Sequence, residues 1–414
     1  MAKVTIVGGG IIGLCAAYYA LADGHEVTVL DKGEVGHGSS WGNAGWITPS
    51  HVVPLAAPGV IRKGLKWMLD PESPFYIQPR LELSLAKWLW DFRSYANEKH
   101  VNRSIPILGD LCKTSLALFK ELNEVLEHAF GFEEKSLIFA AKTDTGLHSC
   151  LHEVAAVNNA GMEARPLLLE EMIALEPTLR ADLKGGALFK IDSHMDPAQF
   201  ILRLTDYLRA SGATILENTA VKGFEVQKSE IKAVRTAHQS LESDVVVLAI
   251  GAWSSAISQV LGLKLPVQPG KGYSLTVPQT RTKTKTPVLL VERSVAITPL
   301  GDNIRYAGTM EMAGMGLKIN QRRVEAIKKA IPAYLTNYDP TVADKAIPWA
   351  GLRPCSPDGL PLIGAVKTLP NLFVATGHAM IGVTTATGTG KIIADLIANR
   401  ASFMDHRPFA VERF

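Results

Sequence analysis

Cysteine is scarce in this sequence: Cys15, Cys112, Cys150 and Cys355 are the only four in 414 residues. Their spacing fits no metal motif, and their density is far below that of a secreted disulfide framework. Reduced thiols in a cytoplasmic compartment are therefore expected, and zinc is not indicated. Charge of one sign is scarce as well. The net charge of +3 is spread along the chain without a basic arm or arginine run, which argues against nucleic acid as a partner. No apolar run reaches the length of a transmembrane helix. The first strand is expected from residue 4, leaving no room for the charged and apolar regions of a signal peptide. Internal repeats and low-complexity linkers are also lacking. What remains is a composition of 47% hydrophobic and 20% charged residues, enough for a large core divided between two domains.

The densest signal lies at the start. An apolar strand, Val4 to Val7, runs into a turn with Gly8, Gly10 and Gly13, then a helix to Leu21 and a second strand, Val27 to Leu30, ending on Asp31. Gly8 permits the tight turn, Gly10 lets backbone approach a pyrophosphate, and Gly13 lets helix and strand pack closely. The helix N-terminus, with Ile11 and Ile12 in its first turn, offers N–H groups and positive dipole to phosphates. Asp31, 18 residues after Gly13, is placed to accept from a ribose hydroxyl and to repel a 2′-phosphate, with Lys32 beside it. The unit predicts a bound ADP moiety.

Beyond it, residues 33–59 form a small-residue loop with Ser39, Ser40, Asn43, Ala44 and Gly45, suited to wrap a flat ligand. Residues 61–130 turn helical and aromatic, with helical spacing from Leu108 to Phe130. Tryptophans at 67, 88 and 90 beside Lys66, Arg80 and Lys87 are expected to pack in a second domain, with a membrane surface as the alternative. A strand is expected at 136–141 and helices at 151–160 and 199–210, the latter opened by Asp196-Pro197 and closed by Gly212. Further strands are expected at 213–216 and 221–226. The apolar run 244–250, stopping at Gly251-Ala252-Trp253, reads as a parallel strand ending against a nucleotide. Short β-like pieces between 265 and 345, with a helix near 322–331, predict an antiparallel sheet. Strands near 361–364 and 372–375 and a helix at 387–397 return to the first style. Two discontinuous domains follow: 1–60, 145–255 and 346–414 for the nucleotide, and 61–144 and 256–345 for a substrate.

Four segments together resemble the FAD-dependent D-amino-acid oxidase superfamily and, within it, the D-amino-acid dehydrogenase branch. They are Gly8 to Gly13 with Asp31; Gly38 to Pro49 followed by Ala56-Ala57-Pro58-Gly59; Trp349 to Gly364 with Gly351, Arg353, Pro354, Asp358 and Pro361; and Gly377 to Gly382. Glycine and sarcosine oxidases share similar spacing. The resemblance implies an α/β fold of glutathione-reductase type, a Rossmann-like FAD domain interleaved with an α+β substrate domain. It also implies noncovalent FAD held by the Ser39 to Gly45 loop, by Val221 near the adenine, by Gly251 and Trp253, and by Gly377, His378, Met380, Ile381, Gly382, Val383 and Thr384. The linking cysteine of sarcosine-oxidase relatives would fall nearer Gly351 than Cys355.

Arg353 is the candidate for the substrate. A planar guanidinium holds a carboxylate bidentately, fixing Cα–H against the flavin, and the arginine of this motif has that role in the family. Tyr273 and Tyr306 are candidates to share the carboxylate, a core position being the alternative for each. His51 is a candidate to face a substrate hydroxyl or ring nitrogen. His378 either donates toward the flavin or caps the loop. The implied reaction is oxidation of a small D-amino acid to the imino acid by hydride transfer from Cα, with no protein base. Electrons pass to a quinone or to oxygen. Glycine, sarcosine, D-proline or its hydroxylated form are alternative substrates, and an electron-relay subunit with a partner chain is an alternative role. A location in the cytoplasm, or at the inner face of the cell membrane, is expected.

Overall fold

The computed structural model describes residues 1–68, 73–279 and 283–414, and of Lys63 only the backbone. Residues 69–72 and 280–282, which fall in stretches expected to be helical and β-like, lie outside the described residues. Two sheets dominate. The first has six strands in the order Leu362–Val366, Leu369–Thr376, Val245–Leu248, Lys3–Val7, Glu26–Leu30 and Thr214–Leu216. All neighbours are parallel except the edge strand Leu362–Val366. The central strands are apolar on both faces because both are covered, one by the helices Ile11–Ala22 and Ala386–Ile397 and the other by a three-stranded sheet bearing Phe224, Ile231 and Val234: Val4, Ile6, Val246, Val247 and Leu248 are all buried.

The leading helix Ile11–Ala22 packs against the last helix, Ala386–Ile397. Small residues permit the approach: a Cβ on Gly390 would lie 2.6 Å from the Cys15 carbonyl carbon. At the turn into the leading helix, Gly8 holds φ +108°, and a Cβ there would lie 2.4 Å from the Ala249 carbonyl oxygen. A Cβ on Gly13 would lie 1.9 Å from the Gly8 carbonyl oxygen. Glycine is required at both, and the turn fixes the entry of the helix over the sheet.

The second sheet runs Trp349–Cys355, Gln268–Pro278, Asn303–Met312, Val295–Leu300, Val288–Leu290, Leu137–Ala141, Gly185–Phe189 and Ala164–Leu167, with Phe75–Ile77 pairing with Asn303–Met312 off this path. Its ladder is antiparallel apart from Val288–Leu290 beside Leu137–Ala141 and Phe75–Ile77 beside Asn303–Met312. Helix Gln321–Ala330 buries Val324 and Ile327 against one face, in a cluster with Tyr273, Leu275, Ile297 and Tyr306.

Two boundaries differ from expectation. Ala164–Leu167 and Gly185–Phe189, expected in the first domain, pair in the second sheet, so residues 145–189 belong there. Conversely, helix Glu98–Val125, expected in the second domain, docks on the last helix through Ser115 Oγ and Thr387 Oγ1 at 2.8 Å. Its apolar stripe, Leu108, Leu111 and Phe119, joins the core of the first sheet. Local patterning showed which face was apolar, but not which surface would cover it. This helix also starts at Glu98 rather than Leu108, its first turn capped by the Asn97 side chain accepting from His100 N–H. Similarly, helix Asp144–Asn159 begins earlier than the expected 151, at a Thr143 cap. Asp196 caps Pro197–Ala210 as the sequence predicts, accepting from Ala198 and Gln199 N–H. Val221 lies just before Gly223–Gln227, in a separate three-stranded antiparallel sheet, rather than on a strand beginning at 221.

Candidate active site between the two sheets

The nucleotide cradle comes entirely from the first sheet. Gly10 stands at the N-cap of the leading helix, whose first turn bears no acidic side chain and no side-chain cap. Asp31 ends the neighbouring strand, its carboxylate accepting from Gly9 N–H at 2.8 Å and Gly33 N–H at 3.0 Å. The acid therefore braces the turn and keeps further lone pairs for a ribose. Ser40 Oγ accepts from Ile11 N–H at 3.1 Å, and Lys32 Nζ stands 3.7 Å over the Trp253 ring. Burial pulls the Lys32 ammonium below its ordinary value, against the pull of Asp31.

The loop after the cradle lies between the sheets and is sewn to the second one. Ser39 Oγ donates to the Leu352 carbonyl at 2.5 Å, Ser274 Oγ to Gly42 O at 2.8 Å, and Thr298 Oγ1 to Ala44 O at 2.7 Å. Arg305 Nη1 donates to Asn43 O at 2.7 Å, while the Asn43 side chain accepts from Gly45 N–H. Thr384 Oγ1 accepts from Thr48 N–H at 3.0 Å and donates to Trp46 O at 3.2 Å, joining the C-terminal loop to the same seam. Gly251 and Trp253 follow the central strand in a short 3-10 turn. In the Gly377 segment, Gly377 has φ +78°, Met380 is 52% exposed, Ile381 borders the cavity described below, and the Val383 side chain belongs to the core, leaving its backbone to the cleft. His378 is buried with Nε2 3.1 Å from Thr389 Oγ1, and burial pulls its pKa down to about 3. Its neutral ring is committed to the last helix, the bland alternative raised by the sequence.

Between loop and second sheet lies a cavity of about 1910 Å³, larger than the roughly 300–1,000 Å³ of a single small-ligand site. Ser39, Asn43, Trp46, His51, Gly272 and Arg353 border it. The register puts Gly270 opposite Arg353 and Gly272 opposite Gly351, so one face of these two strands is nearly bare. Arg353 occupies that space: a Cβ on Gly272 would lie 2.0 Å from its Nη1. Trp349 fills the corresponding space over Gly351 and Gly42.

Arg353 donates to the Thr309 carbonyl at 3.0 Å and, among the described residues, has no carboxylate in ion-pair range. Burial pulls its pKa below the ordinary arginine value. Arg353 is half-buried, so its cation is partly stripped of water without a carboxylate partner, and a bound anion would offset that loss. Four buried polar atoms of residues bordering this cavity have no hydrogen-bond partner among the described residues: Trp46 Nε1, Thr309 Oγ1, and Nε and Nη2 of Arg80. Thr309 sits at φ +57°, a left-handed conformation that costs a β-branched residue on the order of 1–3 kcal/mol. The sequence gives no sign of Thr309, because the strain arises from a pairing partner remote in the chain.

Both tyrosines pack in the cluster under helix Gln321–Ala330, and Tyr273 also borders the cavity. Tyr306 points to the opposite face of the sheet, 3% exposed and packed with Ile327 and Tyr334, its ring centroid 6.2 Å from that of Tyr338. It is a core residue, since strand alternation turns it away from the cavity. The Tyr273 phenol donates to Glu311 Oε1 at 2.6 Å. Lys271 Nζ, 2.9 Å away, and Asn320 Nδ2, at 3.0 Å, complete a buried knot around Glu311. Burial alone would push the Glu311 carboxyl up, yet the bonds from Tyr273, Lys271 and Asn320 outweigh it and hold the group below its ordinary value. Tyr273 is thus engaged behind the Arg353 strand. His51 borders the cavity with its ring 6.0 Å from Trp46 and 5.7 Å from Phe139, and burial pulls its pKa down to about 4.

A glycine turn of dinucleotide type on one sheet, and a cavity bordered by a half-buried guanidinium with no carboxylate partner among the described residues on the other, fit an oxidoreductase that brings a large cofactor and a small anion together. The chain belongs to the FAD dependent oxidoreductase family, whose pattern matches residues 3–396. It is 31% identical over 419 residues to a D-amino acid dehydrogenase of Granulibacter bethesdensis, covering 100% of this chain and 99% of that one. It is 33% identical over 420 residues to a D-amino acid dehydrogenase of Methylobacterium radiotolerans, covering 99% of both. Among solved structures it resembles glycine oxidase from Geobacillus kaustophilus, with TM-score 0.80, 23% identity and 100% of both chains covered. It also resembles L-proline dehydrogenase from P. horikoshii, with TM-score 0.75, 21% identity and coverage of 100% and 97%. These structures share the fold. The α/β fold of interleaved sheets and the FAD expected from the sequence are those of this family.

Proposed function

We propose that the chain oxidises a small D-amino acid to the corresponding imino acid, which water then hydrolyses to the 2-oxo acid and ammonia. The observation that carries this reading is Arg353, a half-buried guanidinium at the cavity with a carbonyl for its neighbour and, among the described residues, no carboxylate in ion-pair range. The full-length D-amino acid dehydrogenase relatives support it.

FAD, when bound, supplies the hydride acceptor. The protein's own residues do the rest. Gly8, Gly10 and Gly13 admit the diphosphate at the helix N-terminus, and Asp31 takes the ribose. The Ser39 to Gly45 loop and the segment from Gly377 to Thr384 enclose the flavin ring. Arg353 takes the substrate carboxylate through a charge-assisted pair, fixing Cα–H toward the ring, and orientation provides most of the rate. FAD is held noncovalently: Cys355 is fully buried and burial pushes its thiol up to about 12, so it offers no nucleophilic thiolate.

For the acceptor of electrons, a quinone is favoured over oxygen. Leu65, Leu83 and Trp90 are exposed at 63%, 91% and 68%, near Trp67, Met68 and Leu89 at the cavity border. Trp88, by contrast, is buried, stacked on Phe92 and donating to Cys355 O. The exposed apolar edge suits a lipophilic acceptor, and no helix of the described residues is long and apolar enough to cross a membrane.

Anaerobic mixing of the yellow protein with D- and L-amino acids, glycine, sarcosine and both prolines tests the reading. Bleaching by D-amino acids is expected, and a flavin that none of them bleaches would overturn it.

A further inference from the structure

One buried carboxylate has no part in this chemistry. Asp192, 1% exposed, follows the strand Gly185–Phe189 and accepts from Ser50 twice, from N–H at 3.0 Å and from Oγ at 2.5 Å. Among the described residues it has no ion pair. On its other side Ser50 Oγ stands 3.4 Å from His51 Nδ1, and His51 borders the cavity. The three groups form one chain from a buried acid to the substrate space. They are joined across 142 positions of sequence, although Ser50 and His51 are adjacent.

Direction follows from donor counting. Ser50 has one hydroxyl hydrogen. While Asp192 is a carboxylate, the short bond assigns that hydrogen to Asp192, which leaves Ser50 Oγ as acceptor toward His51. His51 is then the Nδ1–H tautomer, and Nε2 keeps a lone pair for the cavity. Its neutral form is the one that burial selects. An amino acid arrives as an ammonium, whereas hydride leaves Cα only with the help of a free amine lone pair.

We infer that His51, Ser50 and Asp192 are a proton relay that deprotonates the substrate ammonium, His51 Nε2 accepting the proton and Asp192 storing it. The inference rests on the amine-oxidation reading above. One proton leaves the substrate nitrogen for Nε2, Nδ1–H passes to Ser50 Oγ, and the Ser50 hydroxyl hydrogen passes to Asp192 Oδ2. His51 ends neutral in the opposite tautomer, Ser50 ends as a hydroxyl and Asp192 as a carboxyl. The proton count balances without a second reactant. Asp192 is suited to storing a proton, because burial pushes its carboxyl up to about 7, against the two bonds from Ser50 that pull it down. The titratable neighbour facing it from helix Glu98–Val125 is Cys112, whose thiol burial and the Asp192 charge push up to about 12, so it stays protonated throughout. Facing His51 are Trp46, Phe139 and Ser50, none charged.

His51 is the catalytic residue of this relay, and Ser50 and Asp192 act through it. The test follows anaerobic flavin bleaching of the holoenzyme by D-alanine and D-proline from about pH 6 to about pH 10, in wild type, Asp192→Asn and Ser50→Ala. Both variants are expected to slow bleaching most, about 100-fold, between about pH 7 and about pH 8.5, where wild-type Asp192 is a carboxylate and the substrate is still an ammonium, and to converge on wild type at the alkaline end, where free amine arrives from solution. Difference infrared spectra on bleaching should show a new protonated-carboxyl stretch in wild type that is absent in Asp192→Asn. Ser50→Ala keeps the carboxylate and interrupts the chain, so it answers even where the aspartate variant folds poorly. Variant profiles parallel to wild type would overturn the relay alone. A wild-type flavin bleached by neither substrate at any pH would overturn both the relay and the amine-oxidation reading.

Discussion

The cradle from Gly8 to Asp31 and the pocket around Arg353 are built with different kinds of information. In the cradle, 24 consecutive residues supply turn, helix, strand and acid, and Gly8 and Gly13 meet backbone of the adjoining strand end or of the same unit. In the pocket, Arg353, Gly272, Thr309, Trp46 and His51 come from four separate stretches of chain, and strand register decides what meets what. A contiguous unit can be recognised by spacing, because its geometry is local. An assembled site cannot, because its geometry is a property of pairing.

The sharpest way to break this contrast is at Gly13. With a Cβ 1.9 Å from the Gly8 carbonyl, Gly13→Ala must displace the turn, and the protein is expected to lose its flavin and with it all turnover. Absorbance of the purified variant measures this, and a fully yellow Gly13→Ala protein would refute the role of the cradle. Arg353→Ala attacks the pocket. It should keep flavin yet lower kcat/KM by about 10²- to 10⁴-fold, the worth of a charge-assisted bidentate pair at roughly 3–5 kcal/mol. Unchanged kinetics would remove Arg353 from substrate binding.

The seam between the sheets is tested by acid. His51, His194 and His378 have folded pKa values lowered to about 4, 4 and 3, in each case first by burial. Groups held neutral in this way contribute stability that is fully present above the unfolded value near 6.5 and is lost as pH falls from there toward 4. Asp192 acts in the opposite sense: its folded pKa is raised, so its contribution is present at low pH and lost as pH rises through about 7. Three groups against one predict a melting temperature that drops by several degrees from about pH 7 to about pH 4.5. A calorimetric Tm that stays level over that window would contradict the assignment.

Tyrosine substitutions bring the smallest effects. Tyr273→Phe removes the bond to Glu311 and should cost about 1–3 kcal/mol in denaturant unfolding with little change in substrate KM. Tyr306→Phe should leave kcat/KM within about twofold, because its hydroxyl faces away from the cavity. A large loss of activity there would mean that the second sheet presents its other face to substrate.

Much of the fold was legible. The central strands, the leading and last helices and the Asp196 cap stand close to where apolar runs, glycines and capping residues put them. Hidden from the sequence were the partners of repeated patterns. Helix Glu98–Val125 and the strands Ala164–Leu167 and Gly185–Phe189 each show an apolar face, and such a face fits either sheet equally well. In the site, Arg353 carried a motif around it, whereas Thr309, Glu311 and Asp192 are ordinary residues whose significance comes from burial and from neighbours far along the chain.

By itself, then, the sequence determined the turn for the ADP half of the cofactor. A strand, three glycines, a helix and an acid close in the chain specify a diphosphate cradle through local backbone geometry, and every tertiary arrangement that keeps them together keeps the cradle. Only the tertiary structure decided which side chains border the cavity. Strand alternation turned Tyr306 inward, the knot around Glu311 engaged Tyr273, and a register of glycines made room for the Arg353 guanidinium at the cavity. Those choices depend on pairing between distant segments, and pairing is fixed by the packing of the whole core.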